Sequence, residues 1–182
     1  MQMAAQALAD VGFRVARFEF AYMAARRSGS RRPPPRAEML SGEYGAMVDA
    51  LGAEKGALII GGKSMGGRVA SMIADDLYAS GRIDGLLCLG YPFHPPKKPA
   101  QLRVDHLAAL QTPALICQGT RDAFGSFEEV GGYALSDRIE MLWLEDGDHD
   151  LKPRRKMTGL TAADHMKTVA KATRAWVDRT VS

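Results

Sequence analysis

The sequence contains few of the residues and segments that mark several specialised classes of protein. It has only two cysteines in 182 residues, Cys88 and Cys117, and each lies in an apolar, strand-like run. Such cysteines predict buried free thiols and a reducing compartment rather than a disulfide framework. No apolar stretch reaches the roughly 20 residues that cross a membrane, and no basic head followed by an apolar block marks a signal peptide. We therefore expect a soluble, cytoplasmic protein.

The excess of positive charge is also small. Lysine and arginine number 24 against 21 acidic residues, which gives a net charge of +3 at pH 7. Much of the positive charge falls in two clusters: Arg26, Arg27, Arg31, Arg32 and Arg36, and then Lys152, Arg154, Arg155 and Lys156. Neither cluster carries the interleaved aromatic residues that stack on bases. We expect no nucleic acid and no membrane as partner; the oligomeric state stays open, a homo-oligomer included.

What the chain does contain is a regular alternation of strand and helix patterns. The predicted strands are 13–20, 57–61, 83–89, 113–118 and 139–144, and the predicted helices are 3–11, 37–51, 66–80, 102–110, 127–135 and 162–180. Residues 26–36 include three consecutive prolines and predict a loop. This order predicts one α/β domain over residues 1–182, with a mostly parallel sheet covered by helices on both faces.

The most informative motif is Gly62-Lys63-Ser64-Met65-Gly66, which lies between a predicted strand and a predicted helix. A serine in the pattern G-x-S-x-G at a sharp strand-to-helix turn is typical of a nucleophile elbow. We expect the glycines two residues either side to remove side chains that would collide in this turn. The start of the following helix would place free N–H groups beside the serine oxygen.

A phosphate-binding loop is the nearest alternative, because Gly62-Lys63-Ser64 reads G-K-S. Such a loop needs a glycine five positions before Gly62, where this chain has Ala57. Of the four residues between them, the first three, 58–60, are Leu-Ile-Ile, which favours a strand over a loop. The nucleotide-binding interpretation is therefore disfavoured.

A serine hydroxyl needs a base to take its proton and an acid to orient that base. The chain has four histidines: His94, His106, His149 and His165. His149 follows the last predicted strand, and Asp122 follows the strand before it. Ser64, Asp122 and His149 should thus project from one edge of a parallel sheet. The neighbouring acidic residues do not complete a calcium loop, since Leu151 and Met157 stand where Gly and Glu are required.

Several segments together resemble the α/β-hydrolase superfamily. They are Arg17-Phe18-Glu19-Phe20, Gly61 to Arg68, Tyr91 to Pro96, Gln118 to Gly125 and Gly147 to Lys152. The resemblance is to its small, lid-less branch related to dienelactone hydrolase, shared with KANSL/Tex-type hydrolase-like proteins. It implies a three-layer fold without a lid domain, with Ser64 as nucleophile, His149 as base and Asp122 as orienting acid.

The resemblance also indicates a small ester-type substrate and implies no cofactor and no metal. The Met65 N–H would be one oxyanion donor. Tyr91, Phe93 and His94 are candidate pocket residues, because their loop follows the strand next to that of the serine, and Lys63 is a further candidate.

The chain departs from the family pattern at its beginning. Family members start with a strand and a His-Gly-x-Gly-like loop that supplies a second oxyanion donor, and this sequence shows neither before its first helix. We therefore expect a shortened form without the N-terminal strands. In it, either segment 13–20 pairs directly with strand 57–61, or another segment or chain fills the gap. The leading hypothesis is an esterase- or thioesterase-like serine hydrolase; the alternative is a weak or inactive hydrolase-fold module that binds a protein or ligand.

Overall fold

Four parallel strands form the sheet at the centre of the structure, a computed structural model that describes residues 1–29, 31, 33–51 and 56–181. They are β1 (Ile59–Lys63), β2 (Gly85–Leu89), β3 (Ala114–Gly119) and β4 (Ile139–Leu144), hydrogen-bonded in that order. Each neighbouring pair is parallel. Arg32 of the first basic cluster lies outside the described residues.

The six predicted helices are all present, together with two short ones that the sequence pattern did not indicate. The helices are α1 (Gln2–Asp10), α2 (Ala21–Arg27), α3 (Ser41–Leu51, after a 3₁₀ turn over Ala37–Leu40), α4 (Met65–Ala79), α5 (Asp105–Ala108), α6 (Phe127–Val130), α7 (Arg155–Thr158) and α8 (Ala162–Thr180). The unpredicted ones are α2 and α7. No helix in the described ranges is long and apolar enough to cross a membrane.

Side chains of β2 and β3 alternate between the two faces of the sheet, as a strand period of two requires. Leu86, Cys88 and Ile116 join a core cluster with residues of α3 and α4 on one face. Leu87 and Leu115 join a second cluster with residues of α1 and α8 on the other. Both faces are therefore covered, and the three layers predicted from the alternation of elements are confirmed.

The predicted strand 13–20 is wrong. Its residues form no regular secondary structure and belong to no sheet, and most of them are exposed. The pairing of this segment with β1, one of the two arrangements expected from the sequence, is not found, because β1 pairs only with β2 in the described sheet. β-branched and aromatic residues favour a strand only where a neighbouring strand can accept their backbone hydrogen bonds.

The outer edge of β1 is bonded instead to a side chain of α3. Tyr44 Oη donates to Gly61 O at 2.6 Å and accepts from Gly61 N–H at 2.9 Å. The rings of Phe18 and Phe20 pack around this tyrosine, with centroids 5.1 and 6.2 Å away. Burial raises the pKa of Tyr44 to about 12, so the hydroxyl keeps its proton. Tyr44 thus occupies part of the edge at which an added strand would pair.

Candidate active site

Ser64 lies at the junction of β1 and α4 in a strained backbone conformation. Its φ is 51° and its ψ is −118°, values that residues other than glycine rarely adopt. The strain is maintained by the sheet and the helix together, because Ser64 N–H donates to Leu89 O of β2 and Arg68 N–H of α4 donates to Ser64 O. Backbone strain held in this way is concentrated at functional sites.

The glycines around Ser64 differ in how much they are needed. A Cβ on Gly62 would lie 2.7 Å from the carbonyl carbon of Gly66, and one on Gly67 would lie 2.7 Å from Gly62 O. A Cβ on Gly66 would have nothing within 4 Å. The expected collision is therefore confirmed for Gly62 and wrong for Gly66. The second crowded position is Gly67, which packs against Gly62 of β1.

We expect Gly62→Ala to destabilise the protein by about 2 kcal/mol, because rigid backbone atoms would have to move. Gly66→Ala is the matched control. It should be neutral or raise the free energy of unfolding by about 0.5 kcal/mol, since alanine restricts the unfolded chain and favours a helix. Urea unfolding of both variants measures the difference. Equal stability of the two would contradict this account of the turn.

His149 bridges Ser64 and Asp122 through its two ring nitrogens. Nε2 lies 2.8 Å from Ser64 Oγ, and Nδ1 lies 2.8 Å from Asp122 Oδ2 and 3.1 Å from Oδ1. A carboxylate can only accept, so Nδ1 carries the proton and Nε2 is free to accept from the serine hydroxyl. The three residues predicted from the sequence are therefore brought together in one hydrogen-bonded chain.

Asp122 is fully buried, and two donors besides His149 hold its oxygens. Phe124 N–H donates to Oδ1 at 2.8 Å, and Gln118 Nε2 donates to Oδ2 at 2.8 Å. Gln118 is itself fully buried, and its Oε1 accepts from Tyr91 N–H at 2.7 Å. Sequence reasoning missed Gln118, although a polar side chain closing the apolar run of β3 was a usable signal.

Replacing Gln118 with leucine should lower the free energy of unfolding by about 3 kcal/mol, because it leaves the buried Tyr91 N–H unpaired and removes a donor from a buried carboxylate. Gln111→Leu is the control at an exposed position and should change stability by less than about 0.5 kcal/mol. Thermal or urea unfolding of both variants provides the comparison. A Gln118→Leu protein as stable as the control would show that the network does not restrain Asp122.

Two glycines let the segment 145–152, here called the His149 loop, approach the sheet. A Cβ on Gly90 would lie 2.7 Å from His149 O, and one on Gly119 would lie 2.2 Å from Gly147 O. The Phe124 ring stacks on the imidazole at a centroid distance of 4.0 Å. These contacts fix the ring between the serine and the carboxylate.

Ion pairs hold the His149 loop at its surface. Arg154 donates to the Asp146 carboxylate and lowers the pKa of Asp146 to about 2. Lys63 Nζ lies 2.7 Å from Asp150 Oδ1, and this ammonium, together with Lys152, lowers the pKa of Asp150 to about 2. Both carboxylates therefore stay charged at neutral pH.

Met65 is the first residue of α4, so its backbone N–H has no carbonyl one turn earlier in the helix to which it can donate. The positive end of the helix dipole lies at the same place. This N–H group follows Ser64 directly, in the position expected of an anion-stabilising donor, and that role stays a prediction.

The aromatic residues predicted to line a pocket are part of the core. Tyr91 and Phe93 are fully buried, with ring centroids 4.9 Å apart. His94 is buried too; its Nε2 lies 3.5 Å from Glu129 Oε1, and the residue is one of those that line a surface cavity of about 760 Å³. The loop folds inward because its apolar side chains gain more from burial than from exposure. Their part in binding a substrate stays a prediction.

A second serine–histidine contact lies away from this site. Ser71 Oγ on α4 is 2.8 Å from His106 Nε2, and it donates to Arg68 O. Burial, and then the charge of Arg68, lowers the pKa of His106. Ser71 is almost fully buried, so this pair contributes to packing. The remaining histidine, His165, is buried in α8, with its Nδ1 2.8 Å from Leu151 O.

Comparisons with known proteins agree on the type of fold. A family model described as an alpha/beta hydrolase domain matches residues 1–178. An esterase domain from Rhodothermus marinus superposes with a TM-score of 0.68 at 16% identity, covering 100% of this chain and 80% of that one. A serine hydrolase homologue from Coxiella burnetii gives 0.65 at 16% identity, with 94% and 72% covered. A serine hydrolase without a lid from Xanthomonas campestris gives 0.58 at 17%, with 98% and 72% covered.

Proposed function

Because the chain belongs to the alpha/beta hydrolase domain family, we propose that it is a serine hydrolase that cleaves small ester or thioester substrates. The observation that carries the proposal is the hydrogen-bonded chain Ser64–His149–Asp122, with 2.8 Å at each of its two links. We further propose that it belongs to the dienelactone-hydrolase-related branch, on the motifs around these residues. The two free buried cysteines, Cys88 and Cys117, favour a cytoplasmic location.

In the proposed reaction Ser64 Oγ attacks the substrate carbonyl while His149 Nε2 takes the serine proton. The carbonyl oxygen becomes an anion that the Met65 N–H stabilises. The tetrahedral intermediate collapses as His149 gives its proton to the departing alcohol or thiol, leaving an acyl group on Ser64. Water, deprotonated by His149, then attacks the acyl carbonyl, and His149 returns the proton to Ser64 Oγ as the bond to the acyl group breaks and the acid leaves. Asp122 keeps the imidazole oriented and stabilises its protonated form.

Labelling with a fluorophosphonate probe tests whether Ser64 is reactive. We expect the wild-type protein to label and Ser64→Ala to remain unlabelled. Ser71→Ala is the matched control, because Ser71 also contacts a histidine but is buried, and it should label like the wild type. Hydrolysis of p-nitrophenyl esters of increasing acyl length then identifies the substrate class. A folded wild-type protein that neither labels nor hydrolyses any ester would contradict the proposal and favour a binding module.

A further inference from the structure

Two charged side chains flank the site along the chain. Lys63 directly precedes Ser64, and Asp150 directly follows His149. Lys63 Nζ and Asp150 Oδ1 lie 2.7 Å apart, so an ion pair connects the serine turn to the His149 loop beside the bond between Ser64 and His149. This second connection lies outside the chain of reacting groups.

The Asp150 carboxylate also contacts Lys152, but the two contacts differ in kind. Lys152 Nζ is 3.2 Å from Asp150 Oδ2 and belongs to the same loop, so it cannot tie that loop to the serine. The Lys63 side chain is 28% exposed and that of Lys152 is 60% exposed, so the Lys63 contact is less screened by water. The backbone of Asp150 is held as well, because its N–H donates to Asp148 Oδ1 at 2.9 Å.

A partly exposed ion pair adds little to the stability of a fold. Its effect on the geometry of the site can be larger. Lys63 and Asp150 are the chain neighbours of Ser64 and His149, whose Oγ and Nε2 atoms exchange the proton. A displacement of about 1 Å between reacting groups can lower a rate about 100-fold. The pair is therefore placed to influence the rate more than the stability.

We propose that Lys63 and Asp150 are positioning residues that keep the Ser64 and His149 side chains within hydrogen-bonding distance. This inference rests on the proposed serine hydrolase function. It assigns Lys63 a role in the geometry of the site and not in contacting the substrate.

The test compares Lys63→Met with Lys152→Met, two variants that each remove one ammonium from Asp150. We expect Lys63→Met to lower kcat about tenfold with KM unchanged, and Lys152→Met to leave both unchanged. The exchanged pair Lys63→Asp with Asp150→Lys should recover most of the lost kcat, since it restores the attraction with its direction reversed. A raised KM with unchanged kcat would identify Lys63 as a substrate-binding residue and overturn the inference.

A second measurement decides the question without turnover. The His149 Nδ1 proton, held between imidazole and carboxylate, should give a proton NMR resonance far downfield, and Lys63→Met should broaden it by faster exchange while Lys152→Met should not. An unaltered resonance in Lys63→Met would overturn the positioning role. A wild-type protein inactive on every ester would contradict the proposed function, and the resonance would still decide the role of the ion pair.

Discussion

Ser64→Ala should lower kcat for ester hydrolysis by roughly 10⁴- to 10⁶-fold, the largest effect we expect of any single substitution in this chain. Without Oγ there is no atom to accept the acyl group, and His149 Nε2 loses the hydroxyl that lies 2.8 Å from it. Steady-state kinetics on the best p-nitrophenyl ester measures the change. Retention of more than about a tenth of the wild-type rate would rule out Ser64 as the nucleophile.

The same position also allows the backbone strain to be measured. Ser64 has φ 51° and ψ −118°. Alanine is as strained as serine at these angles, whereas glycine adopts them without strain. Ser64→Gly should therefore be more stable than Ser64→Ala by about 1 kcal/mol or more in urea unfolding, with both variants inactive. Equal stability of the two would mean that the turn stores no strain.

Asp122→Asn should lower kcat on the order of 10⁴-fold, because the amide favours the wrong tautomer of His149. An amide nitrogen can donate to His149 Nδ1, which then moves the imidazole proton to Nε2, where it faces the serine hydroxyl. The asparagine amide also has no orientation in which all of its hydrogen-bonding groups find a suitable partner. Gln118 Nε2 donates to one carboxylate oxygen and Phe124 N–H to the other, so an NH₂ group at either place meets a donor.

The expected loss of stability in Asp122→Asn is about 1–3 kcal/mol, the cost of an unsatisfied buried group. Asp137→Asn, at an exposed position, is the matched control and should leave kcat and unfolding unchanged. Kinetics and urea unfolding of both variants provide the data. An active Asp122→Asn protein would contradict the orienting role assigned to this carboxylate.

The sequence predicted the sheet and the three side chains of the site because both depend on local patterns. Apolar runs, a serine flanked by glycines, and acidic and histidine residues after successive strands all lie within short stretches. The observed ends of a strand differ from the predicted ones where pairing with a neighbouring strand determines them. β1 was predicted at 57–61 and runs over Ile59–Lys63, because its residues pair with β2 up to Leu89.

The features that the sequence did not predict depend on partners far along the chain. Segment 13–20 has strand-forming residues, yet it pairs with no strand of the described sheet, and the outer edge of β1 is bonded at Gly61 by Tyr44 instead. Gln118 orients Asp122 only because Tyr91, 27 residues away, supplies a donor for its other end. Gly66 matches the G-x-S-x-G pattern, although a side chain there would meet no other atom. Gly67 lies outside the pattern, yet a side chain there would collide with Gly62 O and contact the Cys88 side chain.

The hydroxyl of Tyr44 has a consequence for how the protein behaves at high concentration. An exposed edge strand is a template on which a foreign strand can nucleate aggregation. At the middle of β1 an incoming strand must first displace a phenol that makes two hydrogen bonds to Gly61. Tyr44 therefore blocks the β1 edge at Gly61, three residues before Ser64, against pairing with a strand of a second molecule.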